Sequence, residues 1–440
     1  MWLSVLFIGL MTLLPARGAT YSTPTLCIVC GDVGGVDVVL NVLLFLPLGV
    51  GLALRSVSPV KAGLAVALFT LGIEVLQMKV IQGRDASLGD VVMNCLGGAL
   101  GYLAGATRAT WMHPSPRAAA RLATGAAVFW LGLQGVGAIA VRPSFPELPW
   151  NGQTRQVLHG DPAFEHDISS VRLSGIALGE QRITTAAIGE AVLRGDPLRV
   201  DFVKHSGTGP TRTLYRIVDD QRNEVLSLGR HYYDITLRVR TGAADLRLRR
   251  LTFVQTEALP EDIPTGGPPG QSLVTARVLR DRIELSAVTG EYRREHVLRL
   301  SPSWTWVVVL PFPILMWSPF VTVGTCLWLG GLLVPMGYWC ARVAPRSDRP
   351  DRTRLALVLC GIGAALIAGL WLLPMAFGLG ASVPAEWIAA LAGSAAGWWA
   401  ARRRPAGAAS SAAGTPGPAG SGAGDAADYR PFVSGHRLDG

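Results

Sequence analysis

Charge is scarce in this chain. Asp, Glu, Lys and Arg make up 16% of its 440 residues, where a soluble chain carries about a quarter. A shortage of that size excludes most cytosolic enzymology and points to a membrane class. Catalytic signatures are missing as well: there is no convincing Gly-x-Ser-x-Gly, Walker or His-Glu-x-x-His motif. A paired-carboxylate glycosidase leaves no spacing signature and stays open on sequence alone. Histidines are few, and His205 and His231 are too isolated to form a catalytic set. Of the 6 cysteines, Cys95, Cys326, Cys340 and Cys360 fall in apolar runs, so a zinc site lacks ligands at metal spacing. Cys27 and Cys30, in Cys-Ile-Val-Cys, are left as candidates for a disulfide, for unpaired loop thiols or for a redox pair. No metal and no cofactor is expected.

What the chain has in quantity is apolar sequence. Runs at about Trp2–Pro15, Val36–Leu54, Lys61–Met78, Val91–Ala106, Ala118–Ala140, Trp304–Ala341, Leu355–Phe377 and Val383–Ala401 mostly reach the length of a spanning helix, about 17–25 residues. The first is short, but no Lys or Arg precedes it, which argues for a span over a secretory signal. The sixth is long for one crossing, and Pro311, Pro313 and Pro319 divide it into an interfacial part and a spanning part. The reading is a multi-pass α-helical protein of about eight spans.

The formal net charge of +9 does not imply a nucleic-acid partner, because the arginines are scattered or sit at the ends of apolar runs. Arg108, Arg117 and Arg121 form one cluster, Arg342, Arg346, Arg349, Arg352 and Arg354 a second, and Arg402, Arg403 and Arg404 a third. Lys and Arg accumulate in short cytoplasmic loops. Placing all three inside puts the amino terminus inside as well, the segment 151–303 outside, and the carboxyl terminus in the cytoplasm. The tail 405–440 is rich in Ala, Gly, Ser and Pro and reads as disordered.

Polar residues gather at one depth of the amino-terminal runs. Asp37 and Asn41, Asp90 and Asn94 are each four residues apart, and Glu74 and Gln77 three, so each pair shares a helix face. Arg84 lies in the loop between the second and third pairs. Such groups in hydrocarbon usually face a bundle interior or a cavity. Two readings stay open: polar contacts that fix helix packing, worth about 0.6–2 kcal/mol each, and a pocket open to the outside. Gly97, Gly101 and Gly105 are small-xxx-small steps that read as close helix packing.

The same residues carry a resemblance. Asp37-x-x-x-Asn41-x-x-x-Phe45-x-Pro47-x-Gly49, then Glu74-x-x-Gln77, Gly83-Arg84, Ser87, and Asp90-x-x-x-Asn94-x-x-Gly97 resemble the VanZ-like family, and Thr12-Leu-Leu-Pro15 is similar to the end of its first helix. The resemblance implies a bacterial cytoplasmic-membrane protein, residues 1–107 forming its helical domain. The family's namesake is associated with reduced susceptibility to the glycopeptide teicoplanin. No catalytic residue carries over.

Between the runs the pattern changes. Leu198, Val200 and Phe202 alternate, as do Leu226 and Leu228; Ile235, Leu237 and Val239; Leu246 and Leu248; and Ile283 and Leu285. Period two with turn residues at 206–210, Asp219–Asn223 and Thr241-Gly242 predicts an antiparallel sandwich. Its size suits an all-β jelly roll, and the stretch Leu214–Gly229 with Ile235–Arg240 resembles laminin-G-like, concanavalin-A-like lectin domains. Asp219, Asp220, Asn223 and Glu224 offer oxygen ligands for calcium, though a polar hairpin turn needs such residues anyway.

The expectation is thus a helical domain over 1–107, a fifth span over 118–140, an outer sandwich over 151–303, helices over 304–401 and a tail. Asp37, Asn41, Glu74, Gln77, Arg84, Asp90 and Asn94 form the candidate binding pocket, with the bilayer and an envelope glycan or lipid-linked precursor as partners. The alternative is an embedded enzyme in which Arg84 binds an anion and Asp90 or Glu74 is the base. A transporter is disfavoured, since the polar groups sit at one end and no inverted repeat is evident.

Overall fold

The computed structural model describes residues 1–13, 26–81, 87–155, 167–179, 182–203, 211–260, 270–310, 315–316, 318–344 and 352–403. Helices α1 (Trp2–Leu13), α2 (Gly34–Leu54), α3 (Pro59–Lys79) and α4 (Leu88–Ala106) form a first bundle, and the short α5 (Arg108–Met112) leads into α6 (Pro116–Val141). Local sequence sets the starts. Pro59 and Pro116 occupy first-turn positions, where a missing N–H costs nothing. The Ser87 and Ser115 side chains cap α4 and α6 by accepting from the backbone N–H groups of Asp90 and Ala118.

Next comes the sandwich, with strands β1 (Trp150–Gln153), β2 (Ile168–Leu173), β3 (Ile176–Leu178), β4 (Arg182–Ile183), helix α7 (Ala186–Arg194), β5 (Leu198–Val203), β6 (Thr211–Asp219), β7 (Glu224–His231), β8 (Asp234–Val239), helix α8 (Gly242–Asp245), β9 (Thr252–Gln255), β10 (Gln271–Val278), β11 (Arg282–Thr289) and β12 (Tyr292–Arg299). Two short turns of helix, Pro302–Trp304 and α9 (Thr305–Val308), precede β13 (Leu315–Met316). The chain then returns to long helices: α10 (Ser318–Val343), α11 (Arg352–Ile367), a π turn over Ala368–Leu372 that continues into α12 (Leu373–Ala376), and α13 (Pro384–Arg403).

The strands make a seven-stranded sheet, β13-β9-β8-β7-β6-β1-β4, and a six-stranded sheet, β12-β11-β10-β5-β2-β3. Every pairing is antiparallel except β13 with β9. Alternate burial along β8 and β11 is the period-two pattern of a sheet with one face on the core. Phe202, Tyr215 and Phe253 fill that core, and it does not stop at the sandwich: Val36 of α2, Val141 of α6, Val321 of α10 and Leu379 belong to the same buried cluster. The sandwich therefore shares one apolar interior with the helix ends it sits on.

One sequence expectation is corrected. Leu246 and Leu248 do not continue the strands. Gly242 donates its backbone N–H to the Arg142 carbonyl and α8 turns the chain against the end of α6, leaving Leu246 exposed and Leu248 buried. The start of the Trp304–Ala341 run forms two short helical turns whose Trp304, Val307 and Val308 are buried in the cluster that joins the sandwich to the helix ends. Position 205, the turn 206–210 and the tail 405–440 lie outside the described residues.

Five of the described helices, Gly34–Leu54, Pro59–Lys79, Pro116–Val141, Pro319–Val343 and Arg352–Ala376, are long and apolar enough to cross a bilayer. Leu64, Leu68, Leu327, Leu357 and Ile388 face outward from the helices, as lipid-facing positions do. The starts of α2, α10 and α13 and the ends of α6 and α12 meet the sandwich. Arg108, Arg117, Arg121, Arg342, Arg352, Arg354, Arg402 and Arg403 mark the opposite ends.

The helical part is built twice. In the first bundle α2 and α4 run parallel in close contact: a Cβ on Gly97 would meet the Val42 carbonyl, one on Gly101 the Leu46 carbonyl, and one on Gly49 the Gly98 carbonyl. In the second, α10 and α13 do the same: Gly393 against the Gly330 carbonyl, Gly397 against Val334, and Gly337 against Ser394. A proline stands two residues before each partner glycine, Pro47 before Gly49 and Pro335 before Gly337. Each pair is joined in sequence by an intervening helix, α3 in one and α11–α12 in the other. The units point the same way relative to the sandwich, so the repeat is parallel and not inverted.

Candidate functional site

The polar residues of the first bundle lie together at its sandwich end, but they do different things. Asn41 on α2 donates its Nδ2–H to Asp90 Oδ1 on α4 at 2.5 Å. Glu74 on α3 accepts from the Ser87 backbone N–H at 2.9 Å, just where α4 begins. Asn94 on α4 donates to Thr70 Oγ1 on α3 at 2.8 Å, and Gln77 donates to the Thr12 carbonyl of α1 at 2.9 Å. Glu74, Gln77 and Asn94 are buried, so these three act as interhelical ties, the work polar side chains do where hydrocarbon offers no other partner.

Asp37 and Asp90 differ. Both line an open cavity of about 160 Å³, with Ser87, Gly89 and Met93 from the α4 side, Ile28 and Cys30 from the loop before α2, and Gly34 from the start of α2. That loop is closed on itself by the Cys27–Cys30 disulfide and is held at both ends. The Gly89 N–H donates to the Cys27 carbonyl, and a Cβ at Gly89 would strike the Ile28 carbonyl. Arg84 lies outside the described residues.

The other side of the same loop forms a second cavity, of about 290 Å³, lined by Gly31, Asp32, Asn223, Arg240, Ala244, Arg247 and Arg250. Its arginines come from the sandwich segment that leaves β8. Arg247 donates to the Val29 carbonyl, Arg250 is 4.0 Å from Asp32, and Arg240 pairs with Asp245. Nearby Arg249 is within electrostatic reach of Asp37: partial burial lowers its pKa, and the carboxylate opposes that shift. Sequence reasoning missed these arginines because nothing local ties them to the loop. The Cys27–Cys30 segment was the only available signal.

The oxygen-bearing turn of the sandwich is occupied by protein. Asp219 accepts from the Asn223 backbone N–H and Nδ2–H at 2.7 and 2.9 Å. Asp220 accepts from Asn151 and Arg182, and Glu224 pairs with Arg238 at 2.9 Å. His231 shares a hydrogen bond with Thr211 at 2.8 Å and packs edge-on against Tyr232.

Comparison with known proteins agrees with the first bundle. Residues 5–107 match the model of the VanZ/LLP1 family, and the match ends before the sandwich. No curated protein and no solved structure matches the chain.

Proposed function

We propose that this is a cell-envelope membrane protein that binds the polar head of a lipid-linked or wall-associated glycan or glycopeptide, at the seam between its VanZ-like bundle and its sandwich. The reading rests on one observation. A single disulfide-closed loop has the Asp37–Asp90 cavity on one side and the arginine cavity on the other. A head that carries both hydrogen-bond donors and phosphate would find partners on each. Arg is the residue best shaped for phosphate, and neutral sugar hydroxyls donate readily to carboxylates. The jelly-roll, lectin-like character of the sandwich belongs to the same proposal and would place sugar-binding surface beside the seam. The positive ends of the helices, opposite the sandwich, support an arrangement with the sandwich outside and the carboxyl terminus in the cytoplasm.

The test is teicoplanin susceptibility of a Gram-positive host expressing the full chain or the Asp90→Ala variant at equal membrane levels. Protection by the full chain that is lost in the variant supports the reading; equal susceptibility with and without the full chain removes the link to glycopeptides.

The pinned geometry of Asp90, fixed by Asn41 and open to the cavity, also suits a general base. Turnover of a polyprenyl-diphosphate sugar by the purified chain, abolished by Asp90→Asn, would establish an enzyme instead.

A further inference from the structure

The second bundle has its own cavity in the corresponding place. Superposing the glycine contacts, Gly97 with Gly393 and Gly101 with Gly397, brings Glu386 of α13 onto Asp90 and Thr325 of α10 onto Asp37. Each carboxylate lies in the first turn of its helix, and each lines a cavity at the sandwich end. The second cavity is larger, about 520 Å³, and its walls include Leu298, Leu300, Trp304, Val321 and Val383. It opens between the edge strand β12 and the starts of α10 and α13.

Glu386 is 4% exposed and accepts from Ser301 Oγ at 2.7 Å and Ser303 Oγ at 3.2 Å. No Lys, Arg or His among the described residues pairs with it. A carboxylate withdrawn from water normally requires a cation as well as hydrogen bonds, and ionisable groups at membrane depth mark ligand sites more often than packing. The α13 N-terminus stabilises a nearby anion only modestly. Two serines and a helix end leave acceptor capacity on both oxygens, facing a cavity whose apolar walls are interrupted by His296, Thr322, Thr325 and Ser382. The same cavity carries one exposed guanidinium, Arg299 of β12.

We propose that this cavity is a binding site for a primary-amine phospholipid of the phosphatidylethanolamine type. The ammonium donates to Glu386, the phosphate two carbons away reaches Arg299, and the start of an acyl chain lies against Val321 and Leu298. Three features select this occupant: a buried carboxylate lacking a cation among the described residues, an arginine on the same cavity, and apolar wall residues at the depth where the long helices end. The first bundle replaces those walls with Asp37, Ser87 and the disulfide loop, so its cavity takes a more polar head. This site is separate from the seam described above and does not depend on the function proposed there.

The experiment is native mass spectrometry of the full chain, stripped of lipid in detergent and titrated with phosphatidylethanolamine, phosphatidylcholine or phosphatidylglycerol. Phosphatidylethanolamine is expected to bind at least tenfold more tightly than phosphatidylcholine, whose trimethylated head has no N–H to donate, and than phosphatidylglycerol, which has no ammonium. Glu386→Gln is expected to erase that preference, and Arg299→Ala to weaken all three phospholipids. Equal binding of the three lipids by the native chain, or an undiminished preference in folded Glu386→Gln, overturns the proposal. If Glu386→Gln does not fold, Ala381→Trp at the exposed rim serves instead: it blocks entry and should abolish phosphatidylethanolamine binding, and unchanged binding by that variant also overturns the proposal.

Discussion

Asp90 and Glu386 hold the same station in two copies of one bundle. Each is in the first turn of the helix whose glycines press against a parallel partner, and each borders a cavity under the sandwich. Their surroundings have diverged. Asp90 is held by the Asn41 amide, and Glu386 by two serine hydroxyls from the strand-to-helix junction. One carboxylate is therefore tied to a neighbouring helix and the other to the sandwich, and substitutions at the two should separate in their effects.

Within the first bundle, ties and cavity residues should separate as well. Thr70→Val removes the acceptor of the buried Asn94 amide and should lower stability by about 0.6–2 kcal/mol without altering glycopeptide susceptibility. Asp90→Ala should do the reverse: a small loss of stability and a complete loss of phenotype. Unfolding midpoints in detergent, measured beside susceptibility, check both.

Glycine contacts should behave alike in the two bundles. Gly101→Val and Gly397→Val each drive a side chain into a facing carbonyl, so both should prevent recovery of monodisperse protein or cost several kcal/mol, on the order of an overpacked core. Gly125→Ala on α6, where a Cβ meets nothing, should leave the elution profile and melting temperature unchanged.

Tyr215 offers a test inside the sandwich. It is fully buried and its hydroxyl has no hydrogen-bond partner among the described residues. Tyr215→Phe should therefore be neutral or stabilising by up to about 1 kcal/mol. Burial also raises the phenol pKa above its ordinary value of 10.0. The unfolded chain then loses that proton first, so the native state loses stability as pH rises beyond about 10. Melting curves in alkaline buffer should show that decline in the native chain and less of it in Tyr215→Phe.

Orientation can be read by labelling. Leu193→Cys at the exposed end of α7 should react with an impermeant maleimide in intact cells. Arg108→Cys, at the far end of the helices, should react only after permeabilisation. The opposite pattern would turn the whole arrangement over.

Much of the first bundle was legible because polar groups are costly in lipid, and a four-residue spacing puts them on one face: Asp37 with Asn41, Asp90 with Asn94. The role of each was not legible, since burial decides it. Glu74, Gln77 and Asn94 point inward, whereas Asp37 and Asp90 reach a cavity. Four strands, β5, β7, β8 and β11, showed through alternation, and at Leu246 and Leu248 docking on α6 overrides the local pattern. The second bundle escaped notice because its polar positions have been replaced: Thr325 stands for Asp37, Leu329 for Asn41 and Ala390 for Asn94. Pro335-x-Gly337, Gly393-x-x-x-Gly397 and the acidic Glu386 remained to betray it.

The parallel sense of the repeat carries a rule of parity. A unit that recurs without turning over must begin its second copy at the same end of the fold where it began its first, so each copy must run the length of the bundle an even number of times. Each copy is built from four helices, α1 to α4 and then α6, α10, α11–α12 and α13, and five of these are long and apolar enough to cross a bilayer. The sandwich, threaded between the first and second helices of the later copy, then emerges on the side where the Cys27–Cys30 loop also lies. Loss of any one of these helices would part the loop from the arginines it touches.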